Sequence, residues 1–239
     1  TPPRLGMTKE VRVIRGKSGA SVIVDIFCSY QSSHCARLQP TLTELEQHYS
    51  DQIAFRFFDL PQKFHRSGYA AANAFHCAVE YSQKDQQIWA FQSSLFADIN
   101  QLNVQRYRVI AEQLGIHSNE FDQCLKEKRY QSKISSDVAL GKQIGLGNVP
   151  VVFINGLYVK GANAEQIYRY YIDQELQEMG KKIKLQNSSL PIILVATTVS
   201  NLTNKSSALL SNEAGESIKR YKVGEQILPL VSIISIQTN

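Results

Sequence analysis

The sequence has little of what would place it in several common protein classes. It lacks a run of roughly 18 uncharged apolar residues, which a membrane-spanning helix requires. It also lacks dense Lys/Arg clusters: 26 basic and 21 acidic residues give a net charge of +5, which indicates no particular partner and no nucleic-acid tether. Since 43% of its residues are hydrophobic, disorder is excluded for the chain as a whole.

Cysteine is also scarce, and its distribution is uneven. The four cysteines all lie in the first 124 residues, at Cys28, Cys35, Cys77 and Cys124. None of them has the paired Cys/His spacing of a zinc knuckle, although His34 and His76 each precede a cysteine. We therefore predict no metal site and no cofactor, and the cysteines need another explanation.

The first third of the chain has the pattern of a β-α-β unit. A β-branched apolar run at 22–27 predicts a buried strand, and a helical pattern follows through Leu38 to Tyr49. Pro40 lies within that pattern, where we expect it to bend the helix without ending it. A second strand is predicted at 53–58, which completes the unit.

The middle of the chain is helical in pattern, and strands return after it. Between 67 and 145, apolar residues at three- and four-residue spacing predict helices at 70–81, 86–97, 105–114 and 119–144. A strand is predicted at 149–154, and Asn155-Gly156 is a strong type I′ turn leading to a returning strand at 157–160. A last helix is predicted at 164–179 with Gly180 as its C-cap.

Gln31-Ser32-Ser33-His34-Cys35 stands at the junction of the first loop and helix, within a series of short motifs that runs along the chain. The motifs and their order resemble the DsbA-like branch of the thioredoxin-fold oxidoreductases over about residues 13–180. The other matching pieces are Phe27 with Tyr30-Gln31, Cys35-Ala36-Arg37 with Gln39-Pro40-Thr41-Leu42, Ala139-Leu140-Gly141, Gly145 with Val149-Pro150, and Phe153-Ile154-Asn155-Gly156 with Gly161-Ala162.

In that family the junction reads Cys-x-x-Cys, and the positions here would be Ser32, Ser33, His34 and Cys35. The first thiol sits at a helix N-terminus, where unpaired N–H groups and the helix dipole favour the thiolate. Serine stands at that position in this chain. Because a hydroxyl ionises too weakly and forms no sulfur bridge, the chain as written is not expected to complete a dithiol–disulfide cycle.

Three explanations of Ser32 remain open. The first is a Cys-to-Ser change in an otherwise ordinary oxidoreductase. The second is a naturally inactive homologue that keeps the fold for peptide binding, chaperone work or interaction with a secretion component. The third is a kappa-class-like glutathione transferase, in which a serine at this helix start activates the thiolate of glutathione; the Ser-Pro-Tyr pattern of that class is absent.

The resemblance also assigns roles outside the motif. Val149 and Pro150 would form the substrate-binding element, with a cis peptide bond before the proline and backbone groups offered to an extended peptide. The acidic residue that many members place six positions before the first cysteine is replaced by Ile26. Asp25 would face the other side of the strand, so we give it no catalytic role and interpret it as a polar strand end or a substitute reached by a bulge.

Two interpretations are open for each remaining cysteine. Cys77 and Cys124 form either a structural disulfide within the helical block or a pair of buried free thiols. An oxidising compartment favours the disulfide. Cys28 is either a buried thiol at a strand end or the partner of Cys35 in this Ser32 form. We interpret the even number of cysteines as the result of a missing fifth at position 32, which leaves Cys35 as an unpaired half of a catalytic pair.

The last 50 residues have a different pattern, of short strands separated by turn clusters. Strands are predicted at 192–199, 207–210, 217–223 and 231–236. The segments 190–197, 207–210 and Tyr221-Lys222-Val223-Gly224-Glu225 are similar to the small periplasmic domain of type II secretion protein C and of the pilus lipoprotein PilP. That resemblance implies a partner-binding module, and a simple accessory domain is the alternative.

We therefore predict an α/β thioredoxin fold with an inserted helical domain and a small C-terminal all-β domain. The domains are a linker at 1–12, the thioredoxin-fold domain at 13–66 and 146–180, the helical insertion at 67–145, a linker at 181–189 and the β-domain at 190–239. The predicted function is protein thiol-disulfide exchange that forms disulfides in exported proteins, in a form inactive at Ser32. The expected partners are reduced or unfolded polypeptides, a recycling redox partner and a secretion or pilus component.

The expected location is the periplasm or another extracytoplasmic space. This expectation follows from the family resemblance. The sequence begins at Thr1 without Met or the apolar core of a signal peptide, so any targeting segment has been removed or is not part of it, and a membrane tether before Thr1 is one expectation.

Overall fold

The computed structural model describes residues 14–161, 163–186, 192–198, 207–212, 218–222, 226–228 and 231–232. Side chains are described for 14–159, 161 and 163–179. The predicted linker at 1–12 and residues 187–189 of the second predicted linker lie outside this part. The chain divides into two compact units, with the boundary between residues 180 and 181.

The first unit is built on a five-stranded sheet in the order β1-β3-β2-β4-β5. Strands β2 and β3 run parallel, as the helical crossover between them requires, and the other pairs are antiparallel. The strands are β1 (Ile14–Gly16), β2 (Val22–Cys28), β3 (Ile53–Asp59), β4 (Val151–Ile154) and β5 (Leu157–Lys160).

Helices cover the sheet and form the insertion between β3 and β4. Helix α1 continues through Pro40, as the sequence predicts, and a 3-10 turn (Ser50–Gln52) follows it. The insertion contains α2 to α6, and α7 follows the β4–β5 hairpin. The helices are α1 (Ser33–Tyr49), α2 (Gly68–Tyr81), α3 (Asp85–Ala97), α4 (Val104–Gln113), α5 (Asn119–Glu127), α6 (Gln131–Gln143) and α7 (Glu165–Gln186).

Two helices differ from the sequence predictions. The single helix predicted at 119–144 is two helices, because Lys128 adopts the left-handed conformation (φ 50°) that commonly ends a helix. The last helix does not stop at Gly180 but continues to Gln186. Glycine weakens a helix by only about 1 kcal/mol, and the helix-forming residues at 181–186 continue it.

The predicted hairpin at Asn155-Gly156 is present, with both residues at positive φ (46° and 82°), as a type I′ turn requires. The Asn155 side chain also accepts a hydrogen bond from the backbone N–H of Ile23 (2.9 Å), which ties the turn to β2. Strand β1, by contrast, was not predicted. It is only three residues long, and it pairs with the edge of β3.

The two faces of the sheet pack against different layers. On one face, Cys28 and alternate residues of β2 join a large core with α1 and the insertion helices. On the other face, Phe27 and Phe58 stack with ring centroids 4.4 Å apart and pack near Val138 of α6. Side chains of neighbouring residues on β2 therefore pack on opposite faces of the sheet, because successive side chains of a strand point to opposite sides.

In the second unit, every described residue after 191 lies in a strand. Three antiparallel strands form one sheet in the order β6-β7-β8, and two more form a ribbon. Strands β6, β8 and β10 lie within predicted strands, β7 extends two residues past the strand predicted at 207–210, and β9 was not predicted. The strands are β6 (Ile192–Thr198), β7 (Ser207–Asn212), β8 (Ile218–Lys222), β9 (Gln226–Leu228) and β10 (Val231–Ser232).

No helix in the described part of the chain is both long enough and apolar enough to cross a bilayer.

Candidate active site

Ser32 caps the N-terminus of α1. Its backbone is extended (φ −91°, ψ 119°), and its hydroxyl oxygen accepts a hydrogen bond from the backbone N–H of Cys35 (3.3 Å). Serine is among the best N-cap residues because its oxygen satisfies one of the unpaired N–H groups of the first turn. The loop before it is held in place by Gln31, whose side-chain oxygen accepts from the backbone N–H of Ser67 (2.8 Å).

The next two residues of the predicted motif point outward. Ser33 and His34 are exposed in the first turn of α1. An Arg37 guanidinium nitrogen lies 2.7 Å from Nδ1 of His34, and since a guanidinium only donates, Nδ1 is the acceptor. The hydrogen bond from Arg37, one turn further along α1, therefore holds the His34 ring at the helix start, near the N-cap residue Ser32.

Cys35 is fully buried in the first turn of α1 and is bonded to Cys28, the last residue of β2. The expectation that Cys35 is an unpaired half of a catalytic pair is wrong for this structure. Of the two interpretations of Cys28, the structure has the bridge to Cys35. The Cα atoms of the two cysteines are 5.9 Å apart, which suits a disulfide. They lie this close because the loop at 29–32 turns directly from β2 into α1.

A groove of about 1100 Å³ opens in front of Ser32. Residues 31–34 form one wall and residues 144–151, which include Val149 and Pro150, form another. The peptide bond between Val149 and Pro150 is cis, and Pro150 is buried. The structure thus brings Ser32 and Val149 of the two predicted site segments, 117 positions apart in sequence, to the same groove.

Among the side chains that the structure describes, the groove lining contains apolar and neutral polar residues and histidines, and no Asp, Glu, Lys or Arg. Phe64 and Tyr158 line it with side chains that are 74% and 47% exposed, which is unusual for aromatic residues of a folded protein. His65 also lines it, and burial lowers the pKa of this histidine. A surface of this kind suits an extended segment with apolar side chains.

Asp25 is not a polar strand end, as the sequence suggested. It lies in the middle of β2 and is buried in a two-point ion pair with Arg56 of β3 (2.6 and 2.8 Å). The two residues are paired across the strands. Such a pair satisfies both charges within the core, so Asp25 is structural.

A second buried acid–base pair was not predicted at all. His76 Nε2 of α2 lies 2.6 Å from a carboxylate oxygen of Asp59, the last residue of β3, and both side chains are at least 90% buried. The backbone N–H of Asp59 donates to the carboxylate of Asp137 (3.0 Å). No motif marks this cluster, because its members lie on three separate elements.

Cys77 of α2 and Cys124 of α5 are joined by a disulfide, and both are fully buried. Asn73, one turn before Cys77, donates to the carbonyl oxygen of Cys124 (3.5 Å) and accepts from the N–H of Tyr130 (2.9 Å). The bridge therefore lies where two insertion helices are also held by hydrogen bonds. Within the described residues, no three His, Cys, Asp or Glu side chains are grouped to hold a metal ion.

A family model described as thioredoxin matches residues 8–174, more than half of the chain. Among curated proteins, none matches the chain significantly.

Three solved structures resemble the chain at 18–20% identity. The thiol-disulfide exchange protein alpha-DsbA2 from Wolbachia pipientis has a TM-score of 0.61 and 19% identity, and the match covers 68% of this chain and 86% of that one. The structure of alpha-DsbA1 from the same organism has a TM-score of 0.61 and 20% identity, and the match covers 71% of this chain and 93% of that one. The structure of BdbD from Bacillus subtilis has a TM-score of 0.63 and 18% identity, and the match covers 70% of this chain and 93% of that one. These matches show a thioredoxin-like α/β fold with a helical insertion.

Proposed function

The chain belongs to the thioredoxin family, and on that premise we propose that it is a protein thiol-disulfide oxidoreductase whose exchange cycle is interrupted at Ser32. The observation that carries the proposal is the position of Ser32. It caps α1 and lines the uncharged groove, opposite the segment that contains Val149 and Pro150.

The helix N-terminus supports the assignment of an exchange site. A thiol at position 32 would lie beside the unpaired N–H groups of α1, which stabilise a thiolate. In a form with cysteine there, a substrate thiolate would attack the disulfide between position 32 and Cys35. The mixed disulfide at position 32 would then be resolved by a second substrate thiol, which leaves the substrate oxidised.

In the chain as it stands this cycle is missing a sulfur. The hydroxyl of Ser32 serves as the acceptor for the helix cap, and it forms no disulfide. Cys35 is already bonded to Cys28. We therefore infer that this form does not oxidise polypeptides through position 32.

Binding without exchange is the second candidate function. It is favoured by the bridge between Cys28 and Cys35, which occupies the only sulfur of the motif. The groove, with the exposed Phe64 and Tyr158, would then hold an extended or unfolded polypeptide as a chaperone does. The glutathione-transferase hypothesis has no comparable support.

We also propose an extracytoplasmic location, because disulfides persist in oxidising compartments and the described part of the chain contains two. The partners would be reduced polypeptides and a recycling redox protein. For the C-terminal residues we propose a separate all-β domain that binds a partner, such as a secretion or pilus component. Its support is the strand content of the described residues after 191.

The test is a double variant, Ser32→Cys with Cys28→Ala, which restores the family motif and frees Cys35 to pair with position 32. We expect it to oxidise a reduced model polypeptide, measured as loss of free thiols. The matched control, Ser32→Ala with Cys28→Ala, should not. If the first variant folds and oxidises no faster than the control, the exchange hypothesis is wrong and the binding function stands alone.

A separate measurement tests the groove. The unmodified chain should bind an unfolded apolar peptide, and Phe64→Ser should weaken that binding, since Phe64 is the most exposed aromatic side chain of the groove. Binding that is the same in both proteins would contradict the assignment of the groove.

A further inference from the structure

The Cys28–Cys35 bridge joins the two ends of the turn that places Ser32 in the groove. Cys28 ends β2, Cys35 belongs to the first turn of α1, and Ser32 between them lines the groove. Cys35 is 0% exposed and Cys28 is 6% exposed. The bridge is therefore closed to a folded partner protein.

The buried Asp59–His76 pair lies on the same side of the sheet as Cys28. Cys28 and Asp59 are register partners on the parallel strands β2 and β3, so their side chains leave the same face. The preceding partners, Phe27 and Phe58, stack together on the opposite face. His76 reaches Asp59 from α2, and no step proposed for the groove uses this pair.

We propose that Cys28–Cys35 is a redox couple in its own right, opened at Cys28 by small dithiols, with the Asp59–His76 pair as its proton donor. This goes beyond the function proposed above, because it gives redox chemistry to the Ser32 chain itself. Cys28 is the attacked sulfur since it is the less buried of the two. Cys35 is the leaving group because the α1 N-terminus stabilises its thiolate.

The reaction balances as a two-electron exchange. A thiolate of the dithiol attacks Sγ of Cys28, the Cys28–Cys35 bond breaks, and Cys35 leaves as a thiolate. The second thiolate of the dithiol then attacks its own sulfur in the mixed disulfide and releases Cys28 as a thiolate. The dithiol is oxidised to a cyclic disulfide, and the couple is reduced.

Two thiolates created in the core must gain protons, because a buried charge without a partner is costly. The proton source that we propose is the Asp59–His76 pair, because Asp59 is the register partner of Cys28 on the neighbouring strand. The groups around it are Asp137, which accepts from the Asp59 N–H, Tyr130, whose ring packs on His76, and Lys133, 4.0 Å from Asp137. Burial, followed by the charge of Asp59, raises the pKa of Tyr30, so that phenol stays protonated.

The test compares the two disulfides within one folded protein. The unmodified chain is treated with dithiothreitol in native buffer, quenched with acid and labelled with a maleimide, and the labelled cysteines are identified by peptide mass spectrometry. We expect Cys28 and Cys35 to be labelled at least about 10-fold faster than Cys77 and Cys124, and the bridge to re-form in oxidised dithiothreitol. If the two bridges open together, the proposal is wrong.

A second arm tests the proton donor. Asp59→Asn should slow the opening of the Cys28–Cys35 bridge by at least about 10-fold near neutral pH and leave a rate that rises only with the ionisation of the dithiol, as loss of an acid catalyst does. His76→Gln should do the same, which covers the case that one variant fails to fold. Asp51→Asn, in an exposed ion pair with Lys17, is the matched control and should change neither.

Opening at the unmodified rate in both variants, with protection of Cys77–Cys124 showing that they are folded, would contradict the role of the pair. The assay contains no polypeptide substrate, so its failure is distinguishable from failure of the function proposed for the groove.

Discussion

The two disulfides lie in different settings, although both are buried. Cys77 and Cys124 are 47 positions apart and join two helices of the insertion. Cys28 and Cys35 are 7 positions apart and join the end of a strand to the start of the helix that borders the groove. The first closes a long stretch of chain, and the second lies between Ser32 and a buried acid–base pair.

We infer that the two disulfides contribute differently to stability and to chemistry. In the chain-entropy treatment, a bridge over 47 residues contributes about 4 kcal/mol to stability and one over 7 residues about 2 kcal/mol. The long bridge is thus the main covalent constraint on the fold. The short bridge contributes less to stability and lies where thiol chemistry is expected, since its Cys35 is in the first turn of α1.

The largest effect on stability should come from the long bridge. Replacing Cys77 and Cys124 together with alanine should lower the free energy of unfolding by about 4 kcal/mol, because the unfolded chain regains the entropy of the open loop. Urea denaturation followed by circular dichroism measures it. A loss below about 1 kcal/mol would show that the insertion is held by packing alone.

A smaller loss is expected for the short bridge. Replacing Cys28 and Cys35 together with alanine should lower the free energy of unfolding by about 2 kcal/mol in the same assay. The difference between the two double variants is the informative quantity. If the short bridge contributes as much as the long one, its role is structural and the contrast between them fails.

The smallest effect should come from the ion pair between Arg108 and Asp122, near the long bridge on α5. The hydrogen bond from Arg108 (2.8 Å) lowers the pKa of Asp122 below its unfolded value. Its contribution is therefore present above the unfolded pKa, near pH 4, and is lost as pH falls through the folded pKa.

Arg108→Ala should accordingly reduce the stability at pH 7 by less than either disulfide variant, because both side chains are partly exposed. At pH 2 it should have little effect. A destabilisation that persists unchanged at pH 2 would mean that Arg108 acts through packing and not through the charge of Asp122.

Local sequence patterns predicted most of the architecture. Alternation and helical spacing predicted β2, α1 and β3, and Asn155-Gly156 predicted the hairpin because its turn needs two residues at positive φ. The break between α5 and α6 was missed since it depends on Lys128, a residue type that gives no signal for a left-handed conformation.

The candidate site was only partly predictable. Ser32, His34 and Cys35 are recognisable because they are contiguous. The pairing of Cys28 depends on the distance between two Cα atoms, which the sequence does not contain. The Asp59–His76 pair was missed for the same reason, since strand register and the packing of α2 bring its members together.

The central claim is that position 32 is the exchange position of the groove. It is tested most directly by placing one reactive cysteine there, with Ser32→Cys in a chain that also carries Cys28→Ala and Cys35→Ala. The reaction with a peptide carrying an activated disulfide is followed by mass spectrometry. The matched control carries Ser18→Cys in the same background, at an exposed turn.

We expect the cysteine at position 32 to form the mixed disulfide roughly 10-fold faster than the control, because the helix N-terminus stabilises its thiolate. The rate should also saturate with peptide concentration as the groove fills. A rate equal to that of the control at position 18, rising linearly with peptide concentration, would contradict the account.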